Sequence, residues 1–208
     1  MNLDSRLKNE NNGLVYVFTG EGKGKTSAAL GVATRSLLLG EKVVWIAFYK
    51  GHDWELAEKK MVEKFPNLEM YFTGKGFRII KPLHQSTIKP LKIAKVAGGA
   101  GVVVDTASEG EHKEAARHGL ELVRQKLTDQ PFLLVMDEVL NAVSEGLLES
   151  KAVMEVLSQR GETHVVLTGR AGTEPARLIL AGADLVTECK KIKHPYDEGK
   201  LAVRGLDF

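Results

Sequence analysis

The sequence contains a single cysteine, Cys189, in 208 residues. That excludes an internal disulfide framework and a zinc site built from several thiolates, and it suits a reduced compartment. Net charge is only +2 at pH 7, so the chain as a whole is no electrostatic magnet for nucleic acid or a membrane surface. No apolar run approaches the roughly 18–20 residues needed to cross a bilayer. The opening MNLDSRLKNENNG has no apolar core of a secretory signal, and a cytoplasmic setting is expected. Internal repeats are absent. The histidines (His52, His84, His112, His118, His164 and His194) lack metal-ligand spacing, and His112 and His118 stand too far out of phase to share a helix face. Spacing supports neither a Ser-His-Asp nor a Cys-His arrangement.

What is present is an ordinary globular balance, 43% apolar and 27% charged, at a length that suits one domain with a substantial core. The chain is organised around VYVFTGEGKGKTSAALGVA, residues 15–33. A β-favouring run meets alternating glycines, Gly20, Gly22 and Gly24, and Lys25-Thr26 then open an alanine-rich helix. Glycines let backbone N–H groups converge on an anion, and the helix start adds orphan N–H groups and roughly half a positive charge. Lys25 adds a mobile ammonium, and the Thr26 hydroxyl suits Mg²⁺. The usual G-x-x-x-x-G-K-[ST] spacing is shifted, because Thr19 stands where its first glycine belongs.

After a polar arm over residues 1–13, the pattern predicts a strand at 15–18 and a helix at 24–39 capped by Gly40. VVWIAF, residues 43–48, reads as a strand covered on both faces. A helix over 54–64 and a strand at 68–72 come next. A long segment at about 76–110 then loses periodicity. Between Met70 and Val104 there is no acidic residue, but there are Lys75, Arg78, Lys81, Lys89, Lys92 and Lys95, and a loop of such length is functional or mobile. Gly98-Gly99-Ala100-Gly101 reads as a hinge. Ser108 and Glu111 form a capping box for a helix to Leu127, with Ala116, Leu120, Val123 and Leu127 on one face. Strands at 132–136 and 164–167, a helix at 147–159, a helix start at Thr173 and Pro175, and strands at 184–188 and 201–204 complete the chain. Alternating strands and helices predict one α/β domain over 14–208 with a mostly parallel sheet of about six strands.

FLLVMDE is the natural partner of the glycine loop, since its buried strand delivers Asp137 and Glu138 to the sheet edge where ligands gather. One carboxylate is expected to hold Mg²⁺, directly or through water, opposite Thr26. Arg170, at another strand end, is a candidate for neutralising phosphate charge, with a structural ion pair as the equal alternative.

These blocks resemble a family. TGEGKGKTSAALGVATR, the strand ending in Asp-Glu, VVLTGR, ADLVTE, GKGF and IKHPYDEGKLAVRGLDF are similar, in order, to the RecA-like P-loop ATP:corrinoid adenosyltransferases, which share the shifted glycine spacing. The resemblance implies that Co(I) of a corrinoid attacks the 5′ carbon of ATP and inorganic triphosphate leaves, with the nucleotide reversed relative to ordinary P-loop enzymes. It assigns the phosphates to Gly20, Gly22, Lys23, Gly24, Lys25, Thr26 and Ser27, Mg²⁺ to Thr26 and Glu138, with Asp137 beside them, and the corrinoid's lower face to Phe77 and the position of Ile79. It also brings His194, in the K-H-P block, into the nucleotide's surroundings. Departures from the pattern are Glu21 in place of the common Asn or Asp, Ile79 in place of Trp, and a longer segment after Phe77. The family is often dimeric and reduced through a flavoprotein. Alternatives from other classes are an ATP hydrolase or kinase, and a RecA-like ATP-binding module using the basic segment. Nucleic acid is not expected, because only Phe77 offers a stacking ring there.

Overall fold

The computed structural model describes residues 12–51, 54–75, 107–200 and 202–207. Residues 1–11 of the polar arm, the hinge glycines, and most of the basic segment with Phe77 and Ile79 lie outside the described residues. Six strands, β1 (Val15–Thr19), β2 (Val43–Ala47), β3 (Leu68–Phe72), β4 (Leu133–Asp137), β5 (His164–Thr168) and β6 (Leu185–Glu188), form one sheet in the order β3-β2-β4-β5-β1-β6. Every neighbouring pair is parallel. The expected α/β class and sheet are what is found.

Two-sided coverage explains why β2 and β4 are apolar without alternation. On one face, Val43, Trp45, Ala47, Leu133 and Val135 pack under helix α1 (Lys25–Leu38) through Ala29, Ala33 and Leu37. On the other, Val44, Ile46, Leu134 and Met136 meet α2 (Glu109–Leu127), α3 (Val139–Ser144), α4 (Ser150–Ser158) and α5 (Glu174–Ala181). Small alanines on α1 let its axis approach the sheet closely.

Local chemistry sets most boundaries. The Gly40 N–H bonds to the Leu37 carbonyl at 3.0 Å and the Glu41 N–H to the Ser36 carbonyl at 3.1 Å, with Gly40 at φ 84°, a Schellman ending for α1. At the start of α2, the Ser108 hydroxyl accepts from the Glu111 N–H at 3.3 Å and the Glu111 carboxylate accepts from the Ser108 N–H at 2.8 Å.

Three expectations are corrected. The segment expected to be helical at 54–64 is a 3₁₀ turn over Ala57–Glu63, which has no fully buried side chain to hold an α-helix in place. The helix expected from 147 begins at Ser150, because the buried Leu147 and Leu148 fill the core from the preceding loop. Residues 202–204 carry no strand: the Asp207 carboxylate accepts from the Val203 N–H at 2.7 Å and curls the segment into a turn. Helix α3 was not legible, being six residues long and directly after a strand.

Two mid-helix glycines give a test of the packing. A Cβ at Gly31 in α1 would meet nothing within 4 Å, whereas one at Gly119 in α2 would lie 2.8 Å from Thr73 Oγ1 and 2.9 Å from Phe48 Cε1. Gly31→Ala should stabilise by about 0.5–1 kcal/mol through helix propensity. Gly119→Ala should destabilise, because overpacking costs about 1–3 kcal/mol against the same gain. Chemical denaturation of both variants checks the opposite signs.

Candidate active site at the strand ends

Since all strands run one way, the connections after β1, β4 and β5 and the continuation of β6 leave at one edge. There they enclose a cleft of about 500 Å³. Residues 21–27 form its floor, Glu138 and Arg170 one wall, and His194, Leu206 and Asp207 the other. The loop, the Asp-Glu strand end and the C-terminal block therefore meet in space.

Gly24 is the N-cap of α1 at φ 112°, where an L side chain is strained. The Lys25 ammonium folds back onto the loop, donating to the carbonyls of Gly20 at 2.9 Å and Gly22 at 2.8 Å. The Gly22 N–H donates to the Cys189 carbonyl at 2.7 Å, so the chain leaving β6 braces the loop from outside. A Cβ at Gly22 would lie 2.7 Å from that carbonyl. Lys23 pairs with Asp207 of the C-terminal turn. Ser27 is exposed in the cleft and Thr26 is half-buried.

The two carboxylates of the strand end differ sharply. Asp137 is fully buried below the cleft. Its Oδ1 accepts from the hydroxyls of Thr26 at 3.1 Å and Thr168 at 2.7 Å, and its Oδ2 lies 3.0 Å from the Lys50 ammonium. Glu138 comes next in the left-handed region, φ 63°, held by its N–H donating to the Thr168 hydroxyl at 2.8 Å. This backbone turns its side chain into the cleft. Its Oε2 is buried with no hydrogen-bond partner among the described residues. Burial, and then the charge of Asp137, push its pKa up to about 7, against the pull of Lys25, Lys50 and Arg170.

An orphaned carboxylate oxygen beside a threonine hydroxyl and a phosphate loop fits Mg²⁺, which keeps several waters and takes its other ligands from substrate phosphates. Among the described residues no cluster of three or more His, Cys, Asp or Glu could hold a metal alone. Arg170 Nε lies 3.2 Å from Glu21 Oε2, and its main-chain N–H donates to Asn141 Oδ1 at 2.5 Å. Both ends of that ion pair are more than half exposed, so it can open.

Sequence reasoning missed Lys50, Thr168, Asn141 and Asp207. Lys50 carried one signal, a lysine close behind a wholly apolar strand; the others are ordinary polar residues whose roles depend on neighbours far along the chain.

The Glu138 environment has a pH signature. In metal-free protein the native state keeps the Glu138 proton to about pH 7, while an ordinary glutamate releases it near 4.5. Between those values the native Glu138 binds more protons than its unfolded counterpart, so its contribution to stability falls as pH rises through the window. Glu138→Gln removes this term. Melting temperatures in EDTA should show the variant gaining on the wild type from pH 4.5 to 7 and the gap levelling above; parallel profiles would contradict the assignment.

Known proteins resemble this chain over most of its length. The profile of the family described as ATP:corrinoid adenosyltransferase BtuR/CobO/CobP matches residues 11–208. A corrinoid adenosyltransferase of Escherichia coli (strain K12) is 30% identical over 198 residues, covering 94% of this chain and 86% of that protein. The corrinoid adenosyltransferase CobA of Salmonella typhimurium is 30% identical over 200 residues, 96% of this chain and 87% of its own length. One from Pseudomonas aeruginosa is 32% identical over 199 residues, 94% and 84% respectively. This chain, with its shifted glycine loop and its C-terminal block closing the same cleft, belongs to the ATP:corrinoid adenosyltransferase family.

Proposed function

We propose that this protein transfers the 5′-deoxyadenosyl group of ATP to the Co(I) centre of a corrinoid. The observation that carries the reading is the cleft in which loop 21–27, Glu138 and the C-terminal residues His194 and Asp207 meet, uniting the two ends of the family match. In the reaction a Co–C5′ bond forms as the C5′–O bond breaks, and the electron pair departs with inorganic triphosphate. The substrate cobalt is the nucleophile, so the protein need supply no base. Its work is to orient the ribose carbon and neutralise the leaving group.

The residues divide that work between them. Loop N–H groups, Lys23, Lys25 and Ser27 surround the phosphates, and Arg170 turns from Glu21 to them. Glu138 and Thr26 would hold Mg²⁺, with Asp137 behind them; the ion, when bound, would supply positive charge to the departing triphosphate. A second groove of about 810 Å³, lined in part by Trp54, Tyr71, Phe72 and His118, ends on Gly74 and Lys75. The corrinoid's lower face is assigned to Phe77 and the position of Ile79 on the strength of the family resemblance. Among the described residues no helix is long and apolar enough to cross a membrane. A cytoplasmic setting, a homodimer and a flavoprotein reductant complete the reading, on the strength of the family resemblance.

Phosphorus NMR of a mixture with MgATP and chemically reduced corrinoid should show triphosphate accumulating in step with adenosylated corrinoid. ADP with phosphate in its place would make the protein a hydrolase. Lys25→Ala should keep the fold but lose ATP affinity, because charge-assisted contacts of this kind are worth about 1.5–3 kcal/mol each. Calorimetric titration measures that loss, and unchanged affinity would remove Lys25 from the phosphate site.

A further inference from the structure

Lys50 stands at the strand ends but does not line the phosphate loop's cleft. It lies just beyond β2, whose Ala47 is in register with Asp137 of β4, and the residue is 9% exposed. Its ammonium is shared between two carboxylates, Asp137 Oδ2 at 3.0 Å and Glu58 Oε1 at 2.9 Å. Glu58 sits on the 3₁₀ turn Ala57–Glu63, and its own side chain is only 8% exposed. Both anions are therefore as removed from water as the cation between them. Such a group is anchored at two points and is not available as a mobile phosphate ligand.

The anchoring has a consequence on the other side of Asp137. With Oδ2 held by Lys50, Oδ1 is left to accept the hydroxyls of Thr26 and Thr168. Thr168 in turn accepts the Glu138 N–H, which keeps Glu138 in its left-handed conformation. One buried cation thus stands behind both side chains, Thr26 and Glu138, that face Mg²⁺. Without it, two consecutive carboxylates would share a buried site with no cation bound directly to Asp137.

Resting on the adenosyltransferase reading for its substrate, we propose that Lys50 is a positioning residue: it holds Asp137 Oδ2, leaves Oδ1 to the two threonine hydroxyls, and through them orients Thr26 and Glu138 toward the metal on the ATP phosphates. It touches neither the nucleotide nor the reacting carbon. Glu58 fixes the lysine from behind and ties the 3₁₀ turn, beside the groove that Gly51 and Trp54 line, to the nucleotide cleft. The effect of Lys50 must then appear only where a metal is involved.

The test is ATP binding by calorimetry, in Mg²⁺ and in EDTA, with the full-length protein and no corrinoid. Lys50→Met should lower the affinity in Mg²⁺ by about tenfold or more, the loss of one charge-assisted contact, and leave the affinity in EDTA unchanged. Lys50→Arg, which retains the charge, should recover most of the Mg²⁺-dependent affinity. Equal losses in both media, or no loss in a folded Lys50→Met protein, would overturn the proposal and make Lys50 a structural residue. Should Lys50→Met fail to fold, the Lys50→Met/Asp137→Asn pair removes both buried charges together. It should fold and still bind ATP about tenfold more weakly in Mg²⁺ alone, because a neutral amide holds the Thr26 hydroxyl less firmly. Full Mg²⁺-dependent affinity in that pair would overturn the proposal, since Lys50 would then serve only to cancel a charge. None of these measurements depends on adenosyl transfer, so a protein that binds MgATP as expected yet yields ADP would refute the reaction and leave the role of Lys50 intact.

Discussion

A buried carboxylate with no water to solvate it must be satisfied by its neighbours, and Asp137 imposes that demand on the centre of this fold. Its partners come from three other places in the chain: Lys50 after β2, Thr26 in the first turn of α1, and Thr168 at the end of β5. Strand β5 lies between β1 and β4, so the Thr26 contact spans it and the Thr168 hydroxyl fills the gap. The arrangement costs about several kcal/mol in desolvation if any partner is missing and little when all are present. It therefore fixes the relative placement of the glycine loop and the Asp-Glu strand end more sharply than apolar packing alone would. Glu138 is the beneficiary, being turned into the cleft by a strained backbone that the same hydrogen bonds support.

The cations of the cleft are occupied in the free protein, and their partners are unequal. Lys23 and Arg170 hold surface carboxylates, Asp207 and Glu21, in pairs worth about 0–1 kcal/mol. Lys25 holds carbonyls of its own loop through an ionised donor, so these contacts are already charge-assisted on one side. On the proposed function, bonds from these cations to phosphate are ionised on both sides, and a triphosphate would displace the surface partners of Lys23 and Arg170 first. The C-terminal turn takes part in that exchange through Asp207. The edge strand β6, mostly exposed along its length, contributes through the residue at its exit, Cys189, whose carbonyl holds the Gly22 amide.

Much of this was legible in the chain, because its determinants are local. The strand–glycine–helix order, the capping box at Ser108, the two-sided burial of VVWIAF and LLVMD, and the turn at Gly40 each arise from a few adjacent residues and the period of their side chains. So did the choice of Asp137 and Glu138 as a site. What adjacent residues do not carry is which partner each polar group finds. The sequence makes Asp137 and Glu138 look interchangeable, yet one is sealed beneath the cleft and the other opens into it, because β5 and β2 bring the Thr168 hydroxyl and the Lys50 ammonium against the first carboxylate and not the second. Leu147 and Leu148 read as helix and are core filling from a loop, and residues 202–204 read as strand and are a turn. Apolar periodicity states that a side chain is buried; only the packed sheet decides against what, and on which side of a carboxylate a buried lysine stands.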